Sequence, residues 1–384
     1  MNEPSRASAP AASSPPAPDP VVAQPKDPLR FLSQVLDYAV RRRASDIHLR
    51  VKNHPIVRVD GTLRPIRELP SLSMSFMEDL AQTIMAPMHW DKFQEEYQVD
   101  LSIGLKGIGR VRVNVFYQRG TIAMALRVIS TEIPTPQDLG LPNLVNEIVD
   151  LERGLVIVTG ATGSGKSTTL AALINEINFK YAKHIITIED PIEYLFNERR
   201  SIISQRELGV DATSFANAMK ATLREDPDVV LLGEMRDPET IQIALTAAET
   251  GHLVLTTLHA PAAAETVTRI ISSFEAEAQP TIRSKLAQNL RAVVAQRLLP
   301  KMSGEGRTVA CEMMTVSALI REYILEPLKV KEIADLIKKG TFAEGMLSFD
   351  QSLFELVRRG EITEEMALQH ASSATDLKLK LEGY

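Results

Sequence analysis

Gly160-Ala161-Thr162-Gly163-Ser164-Gly165-Lys166-Ser167 fits G-x-x-x-x-G-K-[ST] at every fixed position. Each residue type has a use there. Glycines let backbone N–H groups curl around phosphates. The N-terminus of a following helix adds a favourable dipole. Lys166 sets a positive charge against β- and γ-phosphates, and Ser167 offers a hydroxyl to Mg²⁺. The expected nucleotide-binding set is therefore Thr162, Gly163, Ser164, Gly165, Lys166, Ser167 and Thr168, with ATP and Mg²⁺ as cofactors. A glycine-rich turn that binds nothing carries the same letters. Context separates the two. The apolar run Leu155–Val158 precedes the loop and a helical stretch, Thr168–Ile177, follows it, which is the strand-loop-helix setting a phosphate loop needs.

Two acidic clusters close later apolar strands, where doubly wound sheets place their ligands. The first is Ile186-Thr187-Ile188-Glu189-Asp190-Pro191-Ile192-Glu193. The second, Asp228-Val229-Val230-Leu231-Leu232-Gly233-Glu234-Met235-Arg236-Asp237, resembles a Walker B strand with one departure. Gly233 stands where the Mg²⁺-binding Asp is usual. Magnesium then relies on Ser167, phosphate oxygens and water, with Glu234 acting through a water; Mg²⁺ tolerates this because it keeps several waters. Attack on a γ-phosphate needs an oriented water, and Glu189 and Glu234 are both candidates for that work. A third strand, Leu253–Leu258, has His252 before it and His259 after it, either of which could sense the γ-phosphate. As a shared metal pair they fail, because seven strand residues separate them by roughly 23 Å. Arg110, Arg112, Arg119 and Arg127 are expected on two adjacent strands far upstream. They read either as a solvated edge face or as charge given to ATP phosphates across a domain or subunit boundary.

The elements around these residues divide the chain. Residues 1–28 are rich in Pro, Ala and Ser and read as a disordered tail, because they have too little apolar surface to offset ordering entropy. Asp27-Pro28 suits a helix start. Leu29, Leu32, Leu36 and Ala39/Val40 carry that helix to about Arg43. A short strand over 46–49 follows, then a hairpin, Val57–Val59 and Leu63–Ile66, turning at Asp60-Gly61. A helix near 73–86 and strands at 99–104, 110–118 and 121–129 complete a small α+β domain, 29–130. Three prolines and Gly140 mark 131–142 as a linker. Beyond it Leu155–Val158, His184–Ile188, Val229–Leu232 and Leu253–Leu258 alternate with helices, the mark of a parallel sheet buried on both faces. From about residue 280 the chain reads as mainly helical, inside an ATPase domain spanning 143–384.

Composition excludes several classes. The 384 residues hold 43 basic and 49 acidic side chains, a formal charge of −6, which argues against a nucleic-acid partner. One cysteine, Cys311, allows no internal disulfide and no cysteine zinc cluster, and fits the cytoplasm. No apolar run of about 18 residues and no signal peptide stand out.

Together, Glu189-Asp190-Pro191-Ile192-Glu193, Gly233-Glu234-Met235-Arg236-Asp237 and Thr250-Gly251-His252 through Leu258-His259 resemble the Asp box, Walker B and His box of the secretion ATPase superfamily. Ala44-Ser45-Asp46-Ile47-His48-Leu49 is similar to the N-terminal signature of its PilT/PilU group of pilus retraction ATPases. The resemblance covers roughly residues 29–384. Leu223–Asp228 looks PilT-like; Val115–Arg119, Phe349–Leu356 and Ala374–Leu379 look PilU-like. Against the PilT retraction motif, Ala-Ile-Arg-x-Leu-Ile-Arg-Glu, only Leu319-Ile320-Arg321-Glu322 matches, and Thr315-Val316-Ser317 stand in place of Ala-Ile-Arg. The resemblance implies an α/β chain with a PAS-like N-terminal α+β domain, a RecA-like P-loop ATPase domain and a helical C-terminal region. It also implies a hexameric ring with ATP between the domains, docked on the inner-membrane pilus platform protein, with a sister retraction ATPase as a further partner.

Two other readings compete. A pilus-extension or type II secretion ATPase usually carries extra N-terminal domains and a four-cysteine zinc site, which one cysteine does not supply. A nucleotide-dependent regulator would bind without useful turnover; Lys166, Ser167, Glu189 and Glu234 argue for turnover, and phosphate release with ATP and Mg²⁺ separates the two.

Overall fold

The computed structural model describes residues 27–383 apart from 43, 60, 106–108, 130, 131 and 305. The proposed tail therefore lies, but for Asp27 and Pro28, outside the described residues, as do Arg43 and Asp60. The chain divides into two compact units, the first ending at Ile129.

In the first unit Asp27 caps α1 (Pro28–Arg41), its carboxylate accepting the N–H groups of Leu29 and Arg30. Then come β1 (Asp46–Arg50), β2 (Ile56–Val59), β3 (Thr62–Pro65), α2 (Met74–Ile84), α3 (Pro87–Glu96), β4 (Gln98–Leu105), β5 (Gly109–Gln118) and β6 (Thr121–Val128). The strands form one antiparallel sheet ordered β3-β2-β1-β6-β5-β4. The expected hairpin forms with Val59 opposite Thr62, and Gly61 takes the positive φ of 77° that its two-residue turn requires. Val111, Val113 and Val115 alternate inward along β5 against Phe31, Leu36, Leu80 and Phe93. Helix α3 adds an element to the sequence reading. Its Phe93 is fully buried, stacked on Tyr117 with centroids 4.8 Å apart.

The second unit holds α4 (Asn146–Val149), β7 (Gly154–Gly160), α5 (Lys166–Lys180), β8 (His184–Glu189), β9 (Ile202–Glu207), α6 (Phe215–Thr222), β10 (Val229–Leu232), α7 (Pro238–Glu249), β11 (Leu253–Leu258), α8 (Ala263–Ser272) and α9 (Gln279–Asn289). Then follow β12 (Leu290–Pro300), β13 (Arg307–Thr315), α10 (Ala318–Leu325), α11 (Ile333–Lys339), β14 (Met346–Leu347), α12 (Phe349–Arg358), α13 (Glu364–His370) and α14 (Ala374–Leu381). Eight strands form one sheet, ordered β14-β13-β12-β7-β11-β10-β8-β9. Pairing is parallel from β12 through to β9 and antiparallel at β12–β13 and β13–β14. Beyond residue 280 the region is mainly helical, as expected, but the β12–β13 hairpin within it departs from that expectation. Strand β12 is buried along most of its length, and a short apolar run of that kind has no period that separates strand from helix. Helix α9 precedes this hairpin, and after β13 the chain is helical apart from the two-residue β14.

Both faces of the sheet are covered, as its apolar strands require. Leu155 and Ile157 of β7 face a core shared with α6 to α9, Val230 and Val254. Val156 and Val158 face the opposite core with Leu170, Leu173 and Ile174 of α5. Leu255, fully buried at the centre of β11, belongs to that second core. Leu255→Ala should lower stability by about 2–5 kcal/mol through lost burial and a residual cavity. Urea unfolding followed by circular dichroism measures this. A change under about 0.5 kcal/mol, the size of a surface substitution, would contradict the packing described.

Candidate functional site

The parallel strands deliver their carboxyl ends to one edge of the sheet. β7 ends in the phosphate loop, β8 in Glu189, β10 just before Glu234, and β11 just before His259. These residues line one cavity of about 360 Å³ together with Asp190, Glu193, Tyr194 and Arg236.

The loop needs its glycines for stated reasons. Gly160 sits at φ 145°, and a Cβ there would lie 2.5 Å from the Gln296 carbonyl oxygen and 2.6 Å from Ser164 Oγ. Gly163 and Gly165 have φ values of 78° and 92°. Lys166 opens α5, and its ammonium donates to the carbonyl oxygens of Gly160 and Ala161, each at 3.0 Å. Burial lowers the Lys166 pKa from its ordinary value, while the charges of Glu234 and Glu193 oppose that change. Ser167 is exposed beside it on the cavity wall. Thr168 bonds Tyr194 through the two hydroxyls, 2.9 Å apart.

Neighbouring loops are clipped together. The buried Thr159 hydroxyl accepts the Ala260 N–H at 2.9 Å and lies 2.9 Å from the carbonyl oxygens of Leu258 and Ala260, which holds His259 next to the phosphate loop. Thr257 Oγ1 donates to the Gly233 carbonyl at 2.7 Å, fixing the segment that carries Glu234. One Glu234 oxygen accepts from Arg236 Nε at 2.7 Å and the other is 3.3 Å from His259 Nε2. A Cβ on Gly233 would meet the Ile188 carbonyl oxygen at 3.2 Å and Glu189 Cα at 3.4 Å. That close approach of β8 and β10 is a steric reason for Gly where a Walker B Asp is usual.

Glu189 stands inside the cavity wall. Its Oε1 accepts from Thr187 Oγ1 at 2.7 Å and from Gln205 Nε2 at 3.4 Å. Burial pushes its carboxyl up to about 7, against the opposing pull of those hydrogen bonds.

His252 is not brought to this cavity. It precedes β11 at the opposite edge of the sheet, its Nδ1 2.9 Å from the Ala247 carbonyl oxygen at the end of α7. The strand between them sets that separation. Arg110 and Arg112 alternate on β5, and Arg112 lies opposite Arg127 on β6. Arg127 is held by Asp46, its Nε and Nη2 donating to Oδ1 at 3.0 and 2.6 Å. Burial works to raise the Asp46 carboxyl, yet Arg127 and the Ser45 hydroxyl hold it below its ordinary value. Arg119 is corrected from strand to turn, with φ 49°. Sequence reading missed Tyr194 and Gln205, which carry no motif of their own.

The raised Glu189 carboxyl gives a signed expectation. If it takes up or orients through its ionised form, turnover rises with pH through about 7. The folded chain also binds this proton more tightly than the unfolded one, so the group's contribution to stability falls as pH rises from about 4.5 to about 7. Glu189→Gln should therefore gain thermal stability relative to the native chain at pH 8 and lose that gain at pH 4.5. Melting curves at the two pH values test it; an equal difference at both would contradict the buried, protonated carboxyl.

The model of the type II/IV secretion system protein family matches residues 24–374. The chain is 41% identical over 349 residues to the type IV pilus ATPase PilU of Pseudomonas aeruginosa, covering 91% of each chain. It is also 41% identical to the type IV pilus retraction ATPase PilT of the same organism, across 88% of this chain and 98% of that one. A crystal structure of the pilus retraction motor PilT with bound ADP superposes with a TM-score of 0.83 at 44% identity, over 90% of this chain and 98% of that one. With its phosphate loop and both acidic clusters at one sheet edge, this chain belongs to the type II/IV secretion system protein family and, within it, to the PilT/PilU group of pilus retraction ATPases.

Proposed function

We propose that this chain is an ATP-hydrolysing motor that powers type IV pilus retraction and twitching motility. The observation that carries the reading is the single cavity shared by the phosphate loop, Glu189, Glu234 and His259. Relatives matched over most of this chain supply the biological setting.

In this reading residues 162–168 hold the phosphates, with Lys166 as the charge against the β- and γ-phosphates. The oxygen donors present suit Mg²⁺. Ser167 offers a hydroxyl directly and Glu234 a carboxylate through water, and among the described residues no cluster of three acidic, His or Cys ligands competes for another metal. Bound there, the ion would neutralise phosphate charge. Glu189 or Glu234 orients the attacking water, and His259 relays the state of the γ-phosphate to Glu234. Arg110, Arg112 and Arg127 of the first unit would add positive charge to the nucleotide. The motor would work as a ring-shaped homo-oligomer, a hexamer. Its place would be cytoplasmic, docked on the inner-membrane pilus platform protein; among the described residues no helix is long and apolar enough to cross a membrane.

A finer reading concerns the sister motor. Ser317 caps α10 by accepting the Ile320 N–H at 3.3 Å, where the retraction motif has Arg. A short capping hydroxyl replaces a long cation there. This favours a PilU-like chain that assists a sister retraction ATPase.

Lys166→Ala should abolish phosphate release with ATP and Mg²⁺ while leaving circular dichroism unchanged; near-native rates would end the ATPase reading. Glu189→Gln or Glu234→Gln should bind ATP but turn over about 10²–10⁴-fold more slowly, the usual cost of losing a group that handles a proton. Deleting the gene should give hyperpiliated cells that fail to twitch. A bald strain would point to extension instead. Restoring twitching by a second copy of the sister ATPase gene would support the assisting role.

A further inference from the structure

Gln205 has no part in the roles above, yet it touches the two segments that shape the acidic side of the cavity. The parallel register of β8 and β9 sets Thr187 opposite Gln205 and Glu189 opposite Glu207. Opposed residues of a parallel pair share a face, so Gln205 projects beside Thr187 and toward Glu189. Its Nε2 lies 2.9 Å from the Tyr194 carbonyl oxygen and 3.4 Å from Glu189 Oε1. Its Oε1 accepts the Phe196 N–H at 3.0 Å. One side chain thus uses both donor hydrogens and its acceptor, and each bond reaches a different group.

The segment after Glu189 runs beside edge strand β9 held by side chains. Glu207 accepts the Ile192 N–H at 3.3 Å, Gln205 the Phe196 N–H, and Glu198 the Ile203 N–H at 3.0 Å. Of these three, Gln205 alone also donates to Glu189. The other charged groups around the cavity are Lys166, Asp190, Glu193, Glu234, Arg236 and His259. The Glu189 carboxylate also takes a backbone hydrogen bond from Glu193, and the side chains that reach its Oε1 are those of Thr187 and Gln205.

We propose that Gln205 is a positioning residue for hydrolysis: its amide fixes the Glu189 carboxylate and ties it to the Tyr194–Phe196 segment of the cavity wall. The proposal rests on the reading that Glu189 acts on the attacking water. It names no new contact between Gln205 and the nucleotide, so binding should be spared and turnover should not.

A double-mutant cycle tests this in the full chain. Gln205→Leu should lower kcat roughly ten- to a hundredfold, the range for a hydrogen bond to a charged group, with KM for ATP within about twofold of native. In a Glu189→Gln background the same substitution should cost nothing further, because the carboxylate it positions is gone. Gln205→Glu keeps an acceptor for Phe196 and removes both donor bonds, to Glu189 and to the Tyr194 carbonyl; it should be as slow as Gln205→Leu, which shows that the Phe196 contact alone does not sustain turnover. Equal fractional losses in both backgrounds, or a native rate for Gln205→Glu, would overturn the assignment while leaving Glu189 in its role. A native rate for Glu189→Gln would instead remove the reading on which the proposal rests. Circular dichroism of each variant excludes unfolding as the source of a loss.

Discussion

Parallel hydrogen bonding between β7, β11, β10 and β8 decides where the chemistry sits. Each strand is buried on both faces, so a slip of one residue would exchange its two apolar rows and misfit both cores. The register therefore fixes the carboxyl ends, and the phosphate loop, Glu189, Glu234 and His259 emerge from one edge without further instruction. Loops alone do not hold such a constellation. Here two buried threonines, Thr159 and Thr257, pin the loops to neighbouring strands at distances of 2.7–2.9 Å. Each is β-branched and suits a strand, and each carries a hydroxyl that answers a backbone group just beyond the strand end.

Close approach is the second constraint. The glycine at 160 exists because the β12 backbone and Ser164 occupy the space a Cβ would take. At 233 the approach is of β8 to β10, and it removes the side chain that most P-loop enzymes use beside magnesium. In the proposed function the acidic role falls one residue on, to Glu234, whose two oxygens are shared between Arg236 and His259. A carboxylate held between a guanidinium and an imidazole has a defined position. His259 is in turn set by the clip at Thr159.

Much of this was legible in the sequence, for identifiable reasons. Strands with continuous apolar character and a phosphate loop between strand and helix have strong local signatures. Direction supplied the rest: ligands lie at carboxyl ends, a rule that separates His259 from His252 once the strands are known to be parallel. What the sequence hid had weak local signals. β9 reads Ile-Ile-Ser-Gln-Arg-Glu, an edge strand with little apolar content, so both the strand and Gln205 went unnoticed. The β12–β13 hairpin lacks a period that tells strand from helix. Helix α3 buries only Phe93, too few apolar positions for a helical pattern. The pairing of Arg127 with Asp46, 81 residues away, is a tertiary fact that no local pattern encodes.

Charge balance in the cavity bears on how the proposed motor must work. Four carboxylates, Glu189, Asp190, Glu193 and Glu234, line it against two cations, Lys166 and Arg236. Arg236 is already engaged with Glu234 and lies 3.6 Å from Asp190. Lys166 is partly occupied by loop carbonyls. A triphosphate entering this wall adds negative charge to a negative surface, and burial makes the repulsion larger than it would be in water. With its carboxyl pushed up to about 7, Glu189 carries less than a full charge near neutrality, and the amides of the phosphate loop with the α5 dipole offset part of the remainder. Further cations still have to arrive with or after the nucleotide. Magnesium is one source. Guanidinium groups would be the other, in line with the proposed role of Arg110, Arg112 and Arg127, of which Arg127 is already engaged by Asp46. In the proposed motor, hydrolysis and phosphate release would remove the negative charge that draws such cations in.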